Sequence, residues 1–434
     1  MKSIAKIIGI ALALGAAAVQ AQPVPDELKT LLTQAHANFP RLKEQAQQLK
    51  AGQIRVDVAR SGFLPTVAAT AGYQYINPVP KPTLPLNGRE VTLQFMPNHN
   101  LNAQVGVSQT IYDFGRTETA IRRAQDDVQA LVHSLEMTRH NLDYQVAAAY
   151  YGMAFLQKSM VVQDSVIRVV GQNLQIIANR LRNGDALEFD ILTQQVRLET
   201  AKNRRIDLEN GLEKQRALLA YLTGAPVPTL NAATVPLETA VTLVNPESAM
   251  QAAQTGNKEL QLVADRLRAA QTDVEVARKA GLPNITFQGA TGYKNGYLPD
   301  INQLRFNVAA GVNLNVPIYS GKRARLQQQA ASITVAANQF AFENASAQLR
   351  QTLDQLNADI RSNQQKLQNT NTQVLQARKA LEIARTRLKN GVITNVELES
   401  AETGIEEAGL AQLSFQYQLL LNQLEVKRLL GDNL

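Results

Sequence analysis

Four histidines, His36, His99, His133 and His140, are the only imidazoles in this chain, and no cysteine accompanies them. His133 and His140 lie seven residues apart on one helix face, about 10 Å along the axis, too far to share an ion. No ordered carboxylate cluster stands near them in sequence, so they read as surface histidines and no metal is expected. There is no glycine-rich phosphate loop and no nucleophile motif. The chain thus carries no constellation for catalysis and no cofactor site, and it reads as a non-enzyme. The remaining residues whose spacing suggests a role are Asp190 and Glu397, each six positions after a glycine, Gly184 and Gly391.

The first residues set the compartment. Lys2 and Lys6 precede an apolar run from Ile7 to Val19, and Val19-Gln20-Ala21 offers small residues for cleavage. That layout predicts a secretory signal peptide over residues 1–21, because the run is too short to cross a bilayer as a helix. Without cysteine, stability in an oxidising space must come from packing or assembly. No later segment reaches the roughly 20 apolar residues of a membrane helix, so membrane residence would require a β-barrel. The formal charge is +7, and +5 without Lys2 and Lys6. Lys and Arg are mixed with Asp and Glu and form no concentrated basic face, which argues against a nucleic-acid partner.

The chain is an internal duplication. At a shift of 207, Tyr112 pairs with Tyr319, Arg116 with Arg323, Arg180 with Arg387, Gly184 with Gly391 and Gly224 with Gly431. Upstream the shift is 218, pairing Val56, Arg60 and Pro65 with Val274, Arg278 and Pro283, so the first copy carries eleven extra residues between Pro65 and Tyr112. Repeats of this size are large supersecondary units. The predicted organisation is a first repeat over 22–224, a linker over 225–246 and a second repeat over 247–434. Each repeat holds a β-hairpin, at about 65–113 and about 283–319, and a helical hairpin whose tip lies near 184 or 391.

Heptad spacing carries the helices. Leu142, Val146, Ala149, Met153, Leu156, Met160, Gln163, Ile167, Val170, Leu174, Ile177 and Leu181 form one seam, and Leu349 to Leu388 form its counterpart. A seam of this length means coiled-coil packing. From Thr117 to Leu181 a helix would extend about 100 Å, too far for a globular core. Glycine after the last seam residue, in Asn183-Gly184 and Asn390-Gly391, supplies a left-handed cap.

Period-two patterning marks four strands. Leu101, Ala103, Val105, Val107 and Ile111 alternate with polar residues, as do Phe306, Val308, Ala310, Val312, Leu314 and Val316. Weaker partners start at Val67 and Ile285. A soluble sheet packed on helices is one reading. The other is a membrane barrel with its apolar face in lipid, which four strands cannot close. Three chains would pool twelve strands, within the range of known barrels. The signal peptide favours this second reading. The proline-rich segment Asn77 to Asn100 is expected to be an outward loop without strand.

These features together resemble the TolC-like outer-membrane efflux proteins across nearly the whole mature chain. The resemblance rests on the duplication, on Ala-Gly-Leu-Pro283, on Gln-Thr-Ile-Tyr112-Asp-Phe-Gly115-Arg and Val-Pro317-Ile-Tyr-Ser-Gly321, and on the Leu-Xaa-Asn-Gly turns. It implies an α+β membrane protein of internally duplicated, coiled-coil helical hairpins. It implies a homotrimer with a 12-stranded β-barrel in outer-membrane lipid above a periplasmic α-barrel. It also implies a passive exit duct for small molecules or secreted polypeptides, in a tripartite efflux or type I secretion system. The resemblance implies that the duct docks to a periplasmic adaptor protein and is driven by an inner-membrane transporter. Gly184, Leu187, Gly391 and Ile393 are the docking candidates at the tips, and Asp190 and Glu397 the candidates for the periplasmic mouth. The two carboxylates are equally consistent with solvated helix starts favoured by the dipole. Where family members carry a second acid this chain has Ser400, and Leu388 and Ile393 occupy places where polar links occur, so the mouth is expected to be held by apolar contact. A periplasmic adaptor or a trimeric coiled-coil surface protein would share the helices, but neither explains two strand hairpins inside a duplication.

Overall fold

The computed structural model describes residues 25–86, 88–226, 235–237 and 243–432. The signal sequence and most of the linker lie outside the described residues. Two helices, α1 (Asp26–Asn38) and α2 (Pro40–Arg60), precede strand β1 (Thr66–Tyr75). A small hairpin, β2 (Thr83–Leu86) and β3 (Arg89–Thr92), leads to β4 (His99–Tyr112). The long helix α3 (Arg116–Arg182) turns into α4 (Glu188–Thr223). The second repeat follows as α5 (Pro246–Gly256), α6 (Lys258–Lys279), β5 (Asn284–Lys294), β6 (Arg305–Asn315), α7 (Arg323–Lys389) and α8 (Asn395–Leu430). The expectation that 77–100 holds no strand was wrong. Thr83–Leu86 pairs antiparallel with Arg89–Thr92, around Gly88 at φ +76°. Pro85 is tolerated because this two-stranded ribbon lacks a further neighbour to demand its missing N–H.

The elements lie in rows of four. The main sheet has the order β1-β4-β5-β6, antiparallel throughout. Next to it run α2, α3, α6 and α7 side by side, and beyond these α4, α3, α8 and α7. In each row the two middle members pack on both sides, whereas the outer members have one neighbour each.

The heptads bury what their spacing implies. Leu142, Val146, Ala149 and Met153 of α3 meet Leu28, Leu32 and Ala35 of α1, Leu212 and Leu219 of α4, and Leu420 and Leu424 of α8. Leu349, Leu353, Leu356 and Ile360 of α7 pack with Leu419 and Leu429 of α8 and with Ala249 and Ala253 of α5. The one polar seam residue of the first copy, Gln163, is fully buried and donates its amide to the Ala201 carbonyl at 3.2 Å. Among the described residues no helix is long and apolar enough to cross a membrane.

The sheet segregates by face. Register sets Tyr73 beside Leu101, Ala69 beside Val105, Tyr293 beside Phe306 and Thr291 beside Val308. The strongly apolar residues therefore share one face, and it is bare: Val67 is 65% exposed and Val308 69%. Gln109 interrupts the pattern. Just beyond it β4 bulges between Thr110 and Tyr112, and the Gln109 amide donates to the Phe63 carbonyl at 3.3 Å. The bare band runs from the Phe306 row to the Leu314 row, eight residues or about 26 Å along the strand. Aromatic side chains bound it, Tyr73, Tyr75, Tyr293 and Phe306 at the loop end, Tyr112 and Phe114 at the helix end.

Within the second repeat, the ends of α5 and α8 meet in a close approach at Gly256. A Cβ there would stand 1.9 Å from the Leu430 carbonyl oxygen, and one on Gly431 would stand 2.1 Å from that of Gly256. Backbone cannot rotate away as a side chain can. Gly256→Ala should therefore cost about 2–3 kcal/mol, read as a lower urea midpoint of the detergent-solubilised protein. An unchanged midpoint would mean that the two helix ends do not meet this closely.

Candidate functional site

The two hairpin tips are built alike. Asn183 ends α3, and Gly184, at φ +83°, donates its N–H to the Leu181 carbonyl at 3.0 Å while the Asp185 N–H reaches Arg180 at 2.8 Å. At the second tip Gly391, φ +71°, donates to Leu388 at 3.0 Å and Val392 to Arg387 at 2.9 Å. This paired closure satisfies the last helical carbonyls and needs a left-handed residue, which explains the two Asn-Gly steps.

The returning helices start on carboxylates. Asp190 accepts the Leu187 N–H at 3.0 Å. Glu397 accepts both the N–H and the hydroxyl of Thr394, at 2.8 and 2.9 Å, and its own N–H donates to the Thr394 hydroxyl at 3.3 Å. Hydrogen bonds from the Thr394 backbone, then from its side chain, hold the Glu397 carboxyl below its usual range. Both acids thus cap helices, and both remain at the exposed ends of their hairpins. Leu187 is 69% exposed at the same end, and Phe189, Leu192, Val392 and Val396 add further bare apolar surface. Ile393 differs, because it packs against Leu388 and Leu398 inside the second hairpin.

Above the tips the two hairpins of the chain hold each other by polar contact. The apolar cluster of Ala384, Leu388 and Leu398 lies within the second hairpin. Between hairpins, the Gln194 amide donates to Asn395 Oδ1 at 3.2 Å, and Arg197 Nη1 donates to the Glu399 carbonyl at 2.8 Å. Arg204 pairs with Glu406 at 2.7 Å. Glu402, 3% exposed, accepts from the Asn173 amide and stands 3.7 Å from Arg197 Nη2. Burial pushes the Glu402 carboxyl above its ordinary value, against the opposing pull of Arg197 and Arg385. Sequence spacing alone missed this network. The signal available was the seven-residue recurrence of Arg197 and Arg204 on α4 and of Glu399 and Glu406 on α8.

The strand-to-helix joint explains Tyr112-Asp-Phe-Gly115-Arg. Phe114 and Gly115 both take positive φ, 55° and 78°, and the buried Asp113 accepts the N–H groups of Gly115, Arg116 and Thr117. Burial opposes its ionisation, but the bonds from Thr117, Gly115 and Arg116 outweigh it and hold the carboxyl low. Arg116 in turn donates to the carbonyls of Ala280 and Leu282, fastening the joint to the start of β5. The second repeat makes the same left-handed pair with Gly321 and Lys322, each at φ +63°.

His133 is not the surface residue expected, whereas His99 is exposed. His133 faces the buried Asp265 at 2.5 Å, tying α3 to α6, and His36 pairs with Asp143, tying α1 to α3. Among the described residues no His, Cys, Asp and Glu group could hold a metal ion.

Comparison with known proteins accounts for the fold. The family described as "Outer membrane efflux protein" matches residues 31–225 and 249–432. The "Outer membrane protein TolC" of Vibrio cholerae serotype O1 is 26% identical over 425 residues, spanning 94% of this chain and 91% of that protein. A membrane protein from Pseudomonas aeruginosa superposes with a TM-score of 0.80 at 17% identity, over 94% of this chain and 91% of that one. The outer membrane protein VceC from Vibrio cholerae superposes at 0.77 with 18% identity, over 94% and 97%. These two likenesses establish the fold.

The buried acid gives a pH signature. Because the folded Glu402 is harder to ionise than the unfolded one, its stability contribution is present below the ordinary carboxylic value. It is lost as pH rises through the raised folded value. Glu402→Gln keeps an acceptor for Asn173 and removes the charge. Its urea midpoint should gain on the parent's as pH rises from about 4 to 7. A difference that does not vary with pH would show that the carboxyl titrates as if exposed.

Proposed function

The chain belongs to the outer membrane efflux protein family and is an outer-membrane exit duct with its helices in the periplasm, and on that premise we propose that three copies close into the working conduit. The carrying observation is that the sheet has two unpaired edges, β1 and β6, and one bare apolar face. Lipid can cover the face, but an open edge in hydrocarbon leaves backbone groups unsatisfied. Three copies of a four-stranded sheet make a closed barrel of a usual size.

The helical rows support the same closure. On the outer members of the row beside the sheet, Ile54 and Val58 of α2 and Leu326, Ile333 and Phe340 of α7 are bare. The last three recur every seven residues, a seam that lacks its partner within one chain. In the farther row Val196 and Ile206 of α4 and Leu375 and Ile383 of α7 are bare in the same way.

The tips are the docking surface for a periplasmic adaptor, which couples the duct to an inner-membrane transporter. Gly184 and Gly391 set the turns, Leu187 offers an exposed apolar contact, and Ile393 stiffens the second tip from within. Asp190 and Glu397 line the mouth while capping their helices. The conduit is passive and performs no chemistry, so the energy for transport comes from the partner.

Two variants test the tips separately. Gly391→Val forces a β-branched residue to φ +71°, where open space around it means the damage is conformational and local. Export should fail while the assembled protein still reaches the outer membrane; normal export would mean that this tip does not dock. Replacing Asp190 and Glu397 together by Ala removes two carboxylates per chain, and should shift the reversal potential in planar bilayers away from cations. An unchanged potential would mean that neither acid faces the ion path.

A further inference from the structure

Across the four strands of the main sheet only two residues are Lys, Arg, Asp or Glu, namely Lys294 and Arg305. Both are basic. They are direct register partners at the end of the β5–β6 hairpin farthest from the helices. Both lie on the face opposite the bare apolar one, with Gln288 and Ala290 below Lys294 and Asn307 and Ala309 below Arg305. Like charges set directly across a strand pair repel and cost stability, so local folding gives no reason for the pairing.

Among the described residues neither Lys294 nor Arg305 makes an ion pair, and the strand neighbour on the other side of Lys294 is Asn102. The connecting loop has one carboxylate, Asp300, which accepts the Asn302 N–H at 3.1 Å. Arg305 is held in place, because its Nη1 donates to the Leu298 carbonyl at 3.1 Å. Below this pair the polar face is lined by small and neutral groups, such as Thr70, Gly106, Gln288 and Gly311. A wall of one sign at the end of an otherwise uncharged strand face focuses the potential there.

We propose that Lys294 and Arg305 form a cationic ring at the outer mouth of the duct, which binds anionic solutes as they leave and sets the charge preference of the exit. The ring rests on the closed trimeric assembly proposed above, since one chain supplies only one pair. Lipid headgroups would meet the opposite face of the strands, so the ring's ligand is a solute of the bore.

The test uses the assembled protein in detergent with inositol hexakisphosphate as a probe of high negative charge, followed by isothermal titration calorimetry. The parent should bind it, and added salt should weaken binding. K294Q together with R305Q should weaken it by at least about tenfold. K43Q together with R55Q removes the same charge from exposed positions on α2 and should leave the affinity unchanged. In planar bilayers the same probe should block current in the parent when added on the loop side, and not in K294Q/R305Q. Absence of binding by the parent, or equal affinity in both double variants, overturns the ring. Failure of the parent to give conductance steps would instead contradict the duct, a result separate from the calorimetric one.

Discussion

A sheet of four strands with one bare apolar face poses a problem that the chain cannot solve alone. Lipid satisfies the face, yet the N–H and C=O groups along β1 and β6 have no partner in hydrocarbon. In the proposed assembly, strands from other copies meet both conditions. The same incompleteness recurs in the helical rows, whose outer members expose apolar residues at heptad spacing. The buried core thus lies inside one chain, while apolar surface on its outer helices and its sheet stays uncovered.

The joints make the sheet and the helices one object. Asp113 gathers three backbone N–H groups where β4 ends and α3 begins, and Arg116 reaches across to two carbonyls preceding β5. Orientation of the strands is thereby passed to helices of 67 residues, about 100 Å long. The second repeat keeps the backbone turn but has Ser320 where the first has Asp113, so its joint lacks that carboxylate. Duplication preserved the geometry and let the chemistry diverge. Divergence is also visible between the hairpins, where Arg197 and Arg204 of the first meet Glu399, Glu402 and Glu406 of the second.

Much of this fold is legible in the residues because two periods dominate it. Alternation sorts Val308 from Asn307 without knowledge of any neighbour, and spacing of three and four identifies the seam through Leu142 and Met153. Glycine after asparagine locates the tips, since left-handed caps select it. What escaped has physical causes. The β2–β3 hairpin hides among prolines that usually break strands, and is tolerated because it stands apart from the main sheet. The bulge at Ile111 follows from pairing with β5, which lies far along the chain. The pairs His133–Asp265 and Asn173–Glu402 join residues more than a hundred positions apart, so no local pattern announces them. Whether Asp190 and Glu397 cap helices or face an opening could not be decided from spacing, and in the fold one position serves the first role while leaving room for the second.

The natural absence of cysteine permits a direct test of closure. One cysteine at Thr70 on β1, paired in turn with one at Asn307, Val308, Ala309, Val312 or Asn313 on β6, would be oxidised in outer membranes and resolved by denaturing electrophoresis. Closure predicts covalent products that stop at the trimer, for pairs whose second cysteine lies on the polar face with Thr70, and little product for Val308 or Val312. Monomer alone, an open ladder beyond three chains, or equal cross-linking at both faces would contradict the pooled barrel on which this account depends.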